Sequence, residues 1–178
     1  FIAIIHFVGI AIVISIFGKY SMAHFNPAVT IAFFITRHTK SKQLPVYFIA
    51  QAIGAFLGTL FVKFVFGDYA LLGTNAPNLE FSMPEIIGYE ILATALLMAV
   101  IYVVVHKKIS KLGGIMIAGI IGLDVLFVGP ISGASMNPIR SLSPAIISGV
   151  TTDLWLYWTT PFIGTIIMAI FYRKKLQK

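Results

Sequence analysis

The sequence predicts an all-α membrane protein built as an inverted repeat, with five spanning helices, two helices that enter the bilayer only half-way, and one spanning helix missing from the first repeat. Three observations carry this. Of the 178 residues, 58% are hydrophobic and 11% are charged, with mean hydropathy +0.95, whereas soluble domains carry about 25% charged residues. Apolar runs long enough to cross a bilayer recur along the chain, and an Asn-Pro pair opens a short apolar segment once in each half. So little charged surface excludes a soluble enzyme, and the net charge of +7 is then no sign of a nucleic-acid partner. Cysteine is absent, which removes disulfides, thiolate nucleophiles and cysteine-rich metal sites.

The apolar runs fall at 1–18, 44–66, 85–105, 112–131 and 154–172, each near the length a ~30 Å hydrocarbon core requires. Unpaired backbone groups are too costly in lipid, so each must be helical or part of a closed barrel. Continuous apolar runs favour helices, and Gly54 and Gly58 form a small-xxx-small pair suited to close helix contact. The first run begins at Phe1 with no basic segment before it, which does not fit a signal peptide and reads as a cut.

Basic residues sort the connections. Lys19, Arg37, Lys40 and Lys42 follow the first run; Lys107, Lys108 and Lys111 follow the third; Arg173, Lys174, Lys175 and Lys178 follow the last, so that eleven of the thirteen lie on one side. The alternate connections carry Asp68, Glu80 and Asp153 against Arg140. By the positive-inside rule the basic side, with the C-terminus, is cytoplasmic. Topology thus accounts for most of the positive charge, ahead of an anionic-lipid site.

Two connections are too apolar to be plain loops. SMAHFNPAVTIAFFITR (21–37) and SGASMNPIRSLSPAIIS (132–148) each run about ten residues onward from Asn-Pro. Asn suits the N-cap and Pro the first helical position, and at 1.5 Å per residue each helix is about 15 Å long, half a bilayer. The charge pattern puts them on opposite sides, so their N-termini can meet near the midplane, as in inverted repeats with re-entrant helices. The single domain, 1–178, then divides into a first repeat at 1–66 and a second at 85–178. The second has two spans before its half-helix and the first only one. A span is expected upstream of Phe1, missing through truncation or supplied by a partner.

At these residues the chain resembles the aquaporin, or major intrinsic protein, family. HFNPAVT at 24–30 and GASMNPIRSLSPA at 133–145 are similar to the family's paired Asn-Pro-Ala boxes, which fall here on Asn26, Pro27 and Ala28 and on Asn137, Pro138 and Ile139. The resemblance runs from the second family helix to the sixth. Ile139 stands where Ala is usual, which puts the local pore width in question.

Physically, two facing helix N-termini place about half a positive charge apiece at the middle of a pore and repel cations. If backbone donors hold the amide oxygens of Asn26 and Asn137, their N–H groups can face a passing water and interrupt a proton-conducting chain. Either Asn alone would read better as a simple cap; the inverted pair favours a pore. Arg140, three residues past Asn137, is costly at membrane depth unless it faces water or a partner. The resemblance implies an outer constriction made of His6, Val125, Ala134 and Arg140. For His6, a core histidine bonded to a neighbouring carbonyl is an equal reading. The set lacks the aromatic and histidine pairing of strict water channels and is similar to vacuolar-type plant and archaeal members. It implies water as permeant, with ammonia or another small neutral solute beside it. Ser141, Ala145, Tyr157 and Trp158 match the water-type pattern and disfavour glycerol.

Glu90 resembles the buried glutamate that braces the re-entrant loop. His24 reads as loop-bracing rather than a metal ligand, since no second ligand is spaced to join it. Asp124 could line the vestibule or bond the loop. The resemblance further implies a homotetramer in lipid, in the cell membrane, without cofactor or metal. Two rival classes stand beside the channel: a scaffold or junction protein of the same fold that conducts poorly, fed by Ile139 and the missing span, and an intramembrane enzyme. Four scattered histidines and no G-x-S-x-G or H-E-x-x-H speak against the enzyme.

Overall fold

A computed structural model describes residues 1–109 and 112–176, with the side chains of Lys175 and Leu176 set aside. Among the described residues there are eight α-helices and no strand: α1 (Ile2–Ser21), α2 (Pro27–Ile35), α3 (Leu44–Phe66), α4 (Met83–His106), α5 (Gly113–Phe127), α6 (Gly129–Ser132), α7 (Pro138–Ser148) and α8 (Leu154–Leu176). The predicted all-α class holds, with α2 and α7 as the half-helices. Lys111 and Lys178, used above for topology, lie outside the described residues.

The ends of these helices follow local chemistry. Asn26 and Asn137 adopt extended backbone at the N-caps of α2 and α7, each side-chain oxygen accepts from a backbone N–H of the first turn, and Pro occupies the first helical position. At α4 the cap lies earlier than the apolar run suggested. Ser82 and Glu85 form a reciprocal capping box with Pro84 in the first turn, so the helix starts at Met83, two residues before the apolar run.

Two sequence expectations are corrected here. The run at 112–131 is not one helix: α5 stops at Phe127 and α6 is a separate turn beginning at Gly129-Pro130, because proline cannot continue the hydrogen-bond ladder. Four helices, α1, α3, α4 and α8, are long and apolar enough to cross a membrane; α5, at 15 residues, is shorter. Nor do Gly54 and Gly58 mediate a close helix contact among the described residues, since a Cβ at either would meet nothing within 4 Å. The close approaches occur elsewhere. A Cβ at Gly164 of α8 would come within 2.5 Å of the Ile91 carbonyl on α4, and one at Gly114 of α5 within 2.8 Å of the Ser15 hydroxyl on α1.

The packing is two-fold in pattern: α4 lies on α8, α2 on α8, α3 on α7, and α1 on α5. The half-helices run from a shared centre to opposite faces. The α2 end reaches the C-terminal ends of α4 and α8, where Tyr102 donates to the Ala32 carbonyl (3.0 Å) and His38 neighbours Tyr172. The α7 end instead reaches the segment before α4, with Ser148 and Thr74 hydroxyls 3.0 Å apart. The two repeats are nevertheless unequal. The membrane-length windows of α4 and α8 are 44% and 39% buried, whereas those of α1 and α3 are 0% buried.

Candidate functional site: the junction of two half-helices

The two loops leading into α2 and α7 share one backbone pattern. Met22, Ala23 and Phe25 have positive φ, as do Gly133, Ala134 and Met136 at the matching places. Such angles are costly for residues with a Cβ and persist where surroundings over-determine them. Corresponding hydroxyls brace both turns, Ser21 accepting from Ala23 N (3.4 Å) and Ser132 from Ala134 N (3.2 Å).

This strained backbone turns the carbonyls of Phe25 and Met136 toward the opposite asparagine. Asn26 Nδ2 donates to Met136 O at 2.8 Å, and Asn137 Nδ2 donates to Phe25 O at 2.9 Å. The oxygen of each amide is held in turn by Ala28 N (2.9 Å) or Ile139 N (3.2 Å). Each NH2 therefore uses one hydrogen on the crossing bond and keeps a second. The tips of the two half-helices are tied directly together.

Both asparagines border a narrow cavity of about 130 Å³, and His6, Val125, Ala134 and Arg140 border the same cavity. Its remaining wall is mainly apolar, including Val29, Leu97, Ile121 and Phe33. His6 Nδ1 lies 2.9 Å from the Ile2 carbonyl one turn back, as in its other reading, but the side chain is half-exposed rather than part of a core. Ile139 faces elsewhere: it borders a wider groove of about 870 Å³ between α1, α3 and α7 rather than the narrow cavity. The narrow cavity is bordered by other side chains. Ala28 and Pro138 are buried in the junction, and Pro27 starts α2 beside them.

Glu90 is fully buried, and its carboxylate accepts from the Ser132 hydroxyl and from Met136 N, both at 2.6 Å. It braces the very residue whose carbonyl receives Asn26. His24 stacks on Tyr47 with ring centroids 4.3 Å apart and shares a 3.1 Å contact with the Thr30 hydroxyl. No cluster of three His, Asp or Glu side chains occurs among the described residues. Asp124 is buried with Oδ2 unpartnered. It lines neither cavity, and its side chain makes no hydrogen bond to a loop group among the described residues.

The structure adds Asn75, which the sequence reading passed over. Its amide oxygen accepts from Arg140 Nη1 and from the Ser141 hydroxyl (2.7 Å), and its Nδ2 donates to the Gly133 carbonyl at 2.7 Å. A short polar segment between two apolar runs gives no periodic signal, so nothing in its local sequence marked it.

The family pattern described as major intrinsic protein matches residues 1–172. The chain belongs to that family. It is 38% identical over 170 residues to the probable aquaporin NIP7-1 of Arabidopsis thaliana, covering 93% of this chain and 61% of that one. It is 44% identical over 159 residues to a probable NIP-type aquaporin of Nicotiana alata, covering 87% and 58%. Among solved structures, the aquaglyceroporin from Plasmodium falciparum superposes with a TM-score of 0.76 at 28% identity, covering 89% of this chain and 75% of that one. The chain spans about three fifths of the length of these curated relatives. Members of the family are membrane channels rather than enzymes, so the rival enzyme reading falls. The relatives carry NIP-type names, so likeness over the whole chain runs to another group than the one the four constriction positions resemble. Strict water selectivity does not follow from membership.

Proposed function

We propose that the protein forms a passive pore for water and small uncharged solutes, and that protons and ions are excluded at the α2–α7 junction. The observation that carries this reading is the reciprocal bonding of Asn26 and Asn137 beside a cavity that both border. Each asparagine keeps one N–H for a permeant oxygen, while the two helix N-termini oppose cations by their dipoles. His6, Val125, Ala134 and Arg140 form the outer constriction. With His6 where strict water channels carry Phe and Val125 where they carry His, ammonia is a co-permeant, and Ser141, Ala145, Tyr157 and Trp158 weigh against bulk glycerol flow. The protein sits in the cell membrane with its C-terminus cytoplasmic and assembles as a homotetramer.

A complete pore takes one more spanning helix, seated in the groove between α1, α3 and α7. What supports this is the inequality of the repeats. In the second, Glu90 on α4 accepts from Ser132 Oγ and Met136 N; their counterparts, Ser21 Oγ and Phe25 N, donate to no carboxylate among the described residues. The buried atoms Gln51 Oε1 and His24 Nε2 beside the groove also have no partner among the described residues. The helix proposed for this groove is apolar and carries a glutamate that accepts from Ser21 and Phe25 N, as Glu90 does for Ser132 and Met136 N.

Stopped-flow shrinkage of liposomes carrying the full-length protein tests the pore. Water flow well above lipid alone, with a low activation energy and no added proton leak, is expected. Flow equal to protein-free liposomes would favour the scaffold reading instead.

A further inference from the structure

Arg140 borders the narrow cavity, yet it forms no ion pair among the described residues, where the pair found is Lys63–Asp68. Its guanidinium is held by two neutral acceptors, the Gly73 carbonyl at 2.9 Å and the Asn75 amide oxygen. Both belong to the segment that precedes α4. An arginine side chain has about 2 kcal/mol of rotamer freedom, so its position across an opening depends on such acceptors. A carboxylate in that place would hold it more strongly, but would cancel its charge.

We infer that Asn75 is a specificity-determining positioning residue that fixes Arg140 against the Gly133–Ala134 turn while leaving the guanidinium charge intact. This rests on the pore reading. The amide is suited to the task because its two ends differ. The oxygen receives Arg140 and Ser141, both on α7, and the nitrogen donates to Gly133 O on the loop before it. One planar group thus spans two of the four constriction positions, Arg140 directly and Ala134 through its neighbour Gly133. Gly133 sits at φ +86°, and a Cβ there would come within 3.3 Å of Asn75 Nδ2, so the turn leaves room for the amide.

The test uses full-length protein in liposomes with Asn75→Ala and Asn75→Asp. Losing a hydrogen bond to a charged group should raise the glycerol-to-water permeability ratio of the alanine variant by about tenfold. The aspartate variant keeps an acceptor for Arg140, so its ratio should rise less, while methylammonium leak increases because the guanidinium is now paired. Wild-type ratios in both variants, with unchanged melting, would overturn the inference. A solid-state NMR measurement on the wild type decides independently of transport: a through-space contact between Asn75 Cγ and Arg140 Nη supports it, and no contact overturns it. A wild type that passes no water but shows the contact would defeat the pore reading and leave the positioning role standing.

Discussion

Asn26 and Asn137, 111 residues apart in the chain, each donate a hydrogen bond to the carbonyl that immediately precedes the other. The arrangement makes each half-helix cap part of the other's support. It also separates two duties within one side chain, since the amide oxygen caps its own helix and the amide nitrogen crosses the junction.

That division gives a direct prediction. Asn137→Asp keeps an oxygen for Ile139 N but loses the donor to Phe25 O and sets a negative charge between two positive helix ends. Proton and cation leak should rise in the variant, measured with an entrapped pH dye under a potassium gradient. Unaltered proton exclusion would show that the asparagine amide is not part of the barrier.

Glu90 offers a test of stability rather than flux. Both partners donate to it, Ser132 Oγ and Met136 N; in Glu90→Gln the amide oxygen still serves Met136 N, but the amide NH2 meets Ser132 Oγ, whose O–H must turn away and lose its buried acceptor. A loss of about 1–3 kcal/mol is expected from the unsatisfied buried groups, read as a lower melting temperature in detergent. Ser132→Ala should cost less in the Glu90→Gln background than alone, because the two residues share one bond.

How much of this was legible in the sequence depends on the range of the interaction concerned. Asn-Pro at 26–27 and 137–138 is a local cap signal, and it located both half-helices to within a residue or two. Glu90 could be singled out because a carboxylate inside an apolar run is conspicuous. The direction that Ile139 faces, and the split at Gly129-Pro130, depend on three-dimensional packing and on one turn that hydropathy averages away. Asn75 was invisible for a related reason. Its partners lie 58 to 66 residues away, and polar residues between spans look alike until the chain is folded.

His38 supplies a pH dependence. Burial holds its imidazole below the ordinary value, opposed by a hydrogen bond to Thr36. The unfolded chain therefore binds the proton more readily than the folded one, and stability should fall as pH drops from about 6.5 until His38 is charged in both states. His38→Gln should flatten that acid limb of a melting curve measured against pH; an unchanged limb would assign it to other groups.

The glycines distinguish a finished helix contact from an open one. At Gly164 an added methyl would press on the Ile91 carbonyl at 2.5 Å and on Ala95 N at 3.0 Å, both backbone atoms of α4 that cannot swing aside. Gly164→Ala should therefore cost about 1–3 kcal/mol through forced separation of α4 and α8. At Gly54 the same methyl enters the groove beside α3, where nothing stands within 4 Å. In the 178-residue chain, Gly54→Ala should be neutral or slightly stabilising, since alanine is the better helix former. With the proposed additional helix seated in that space, whichever chain supplies it, the same substitution should become destabilising. Comparing Gly54→Ala by thermal melting with and without that helix thus reads the occupancy of the groove, and equal effects in both would argue against a helix seated there.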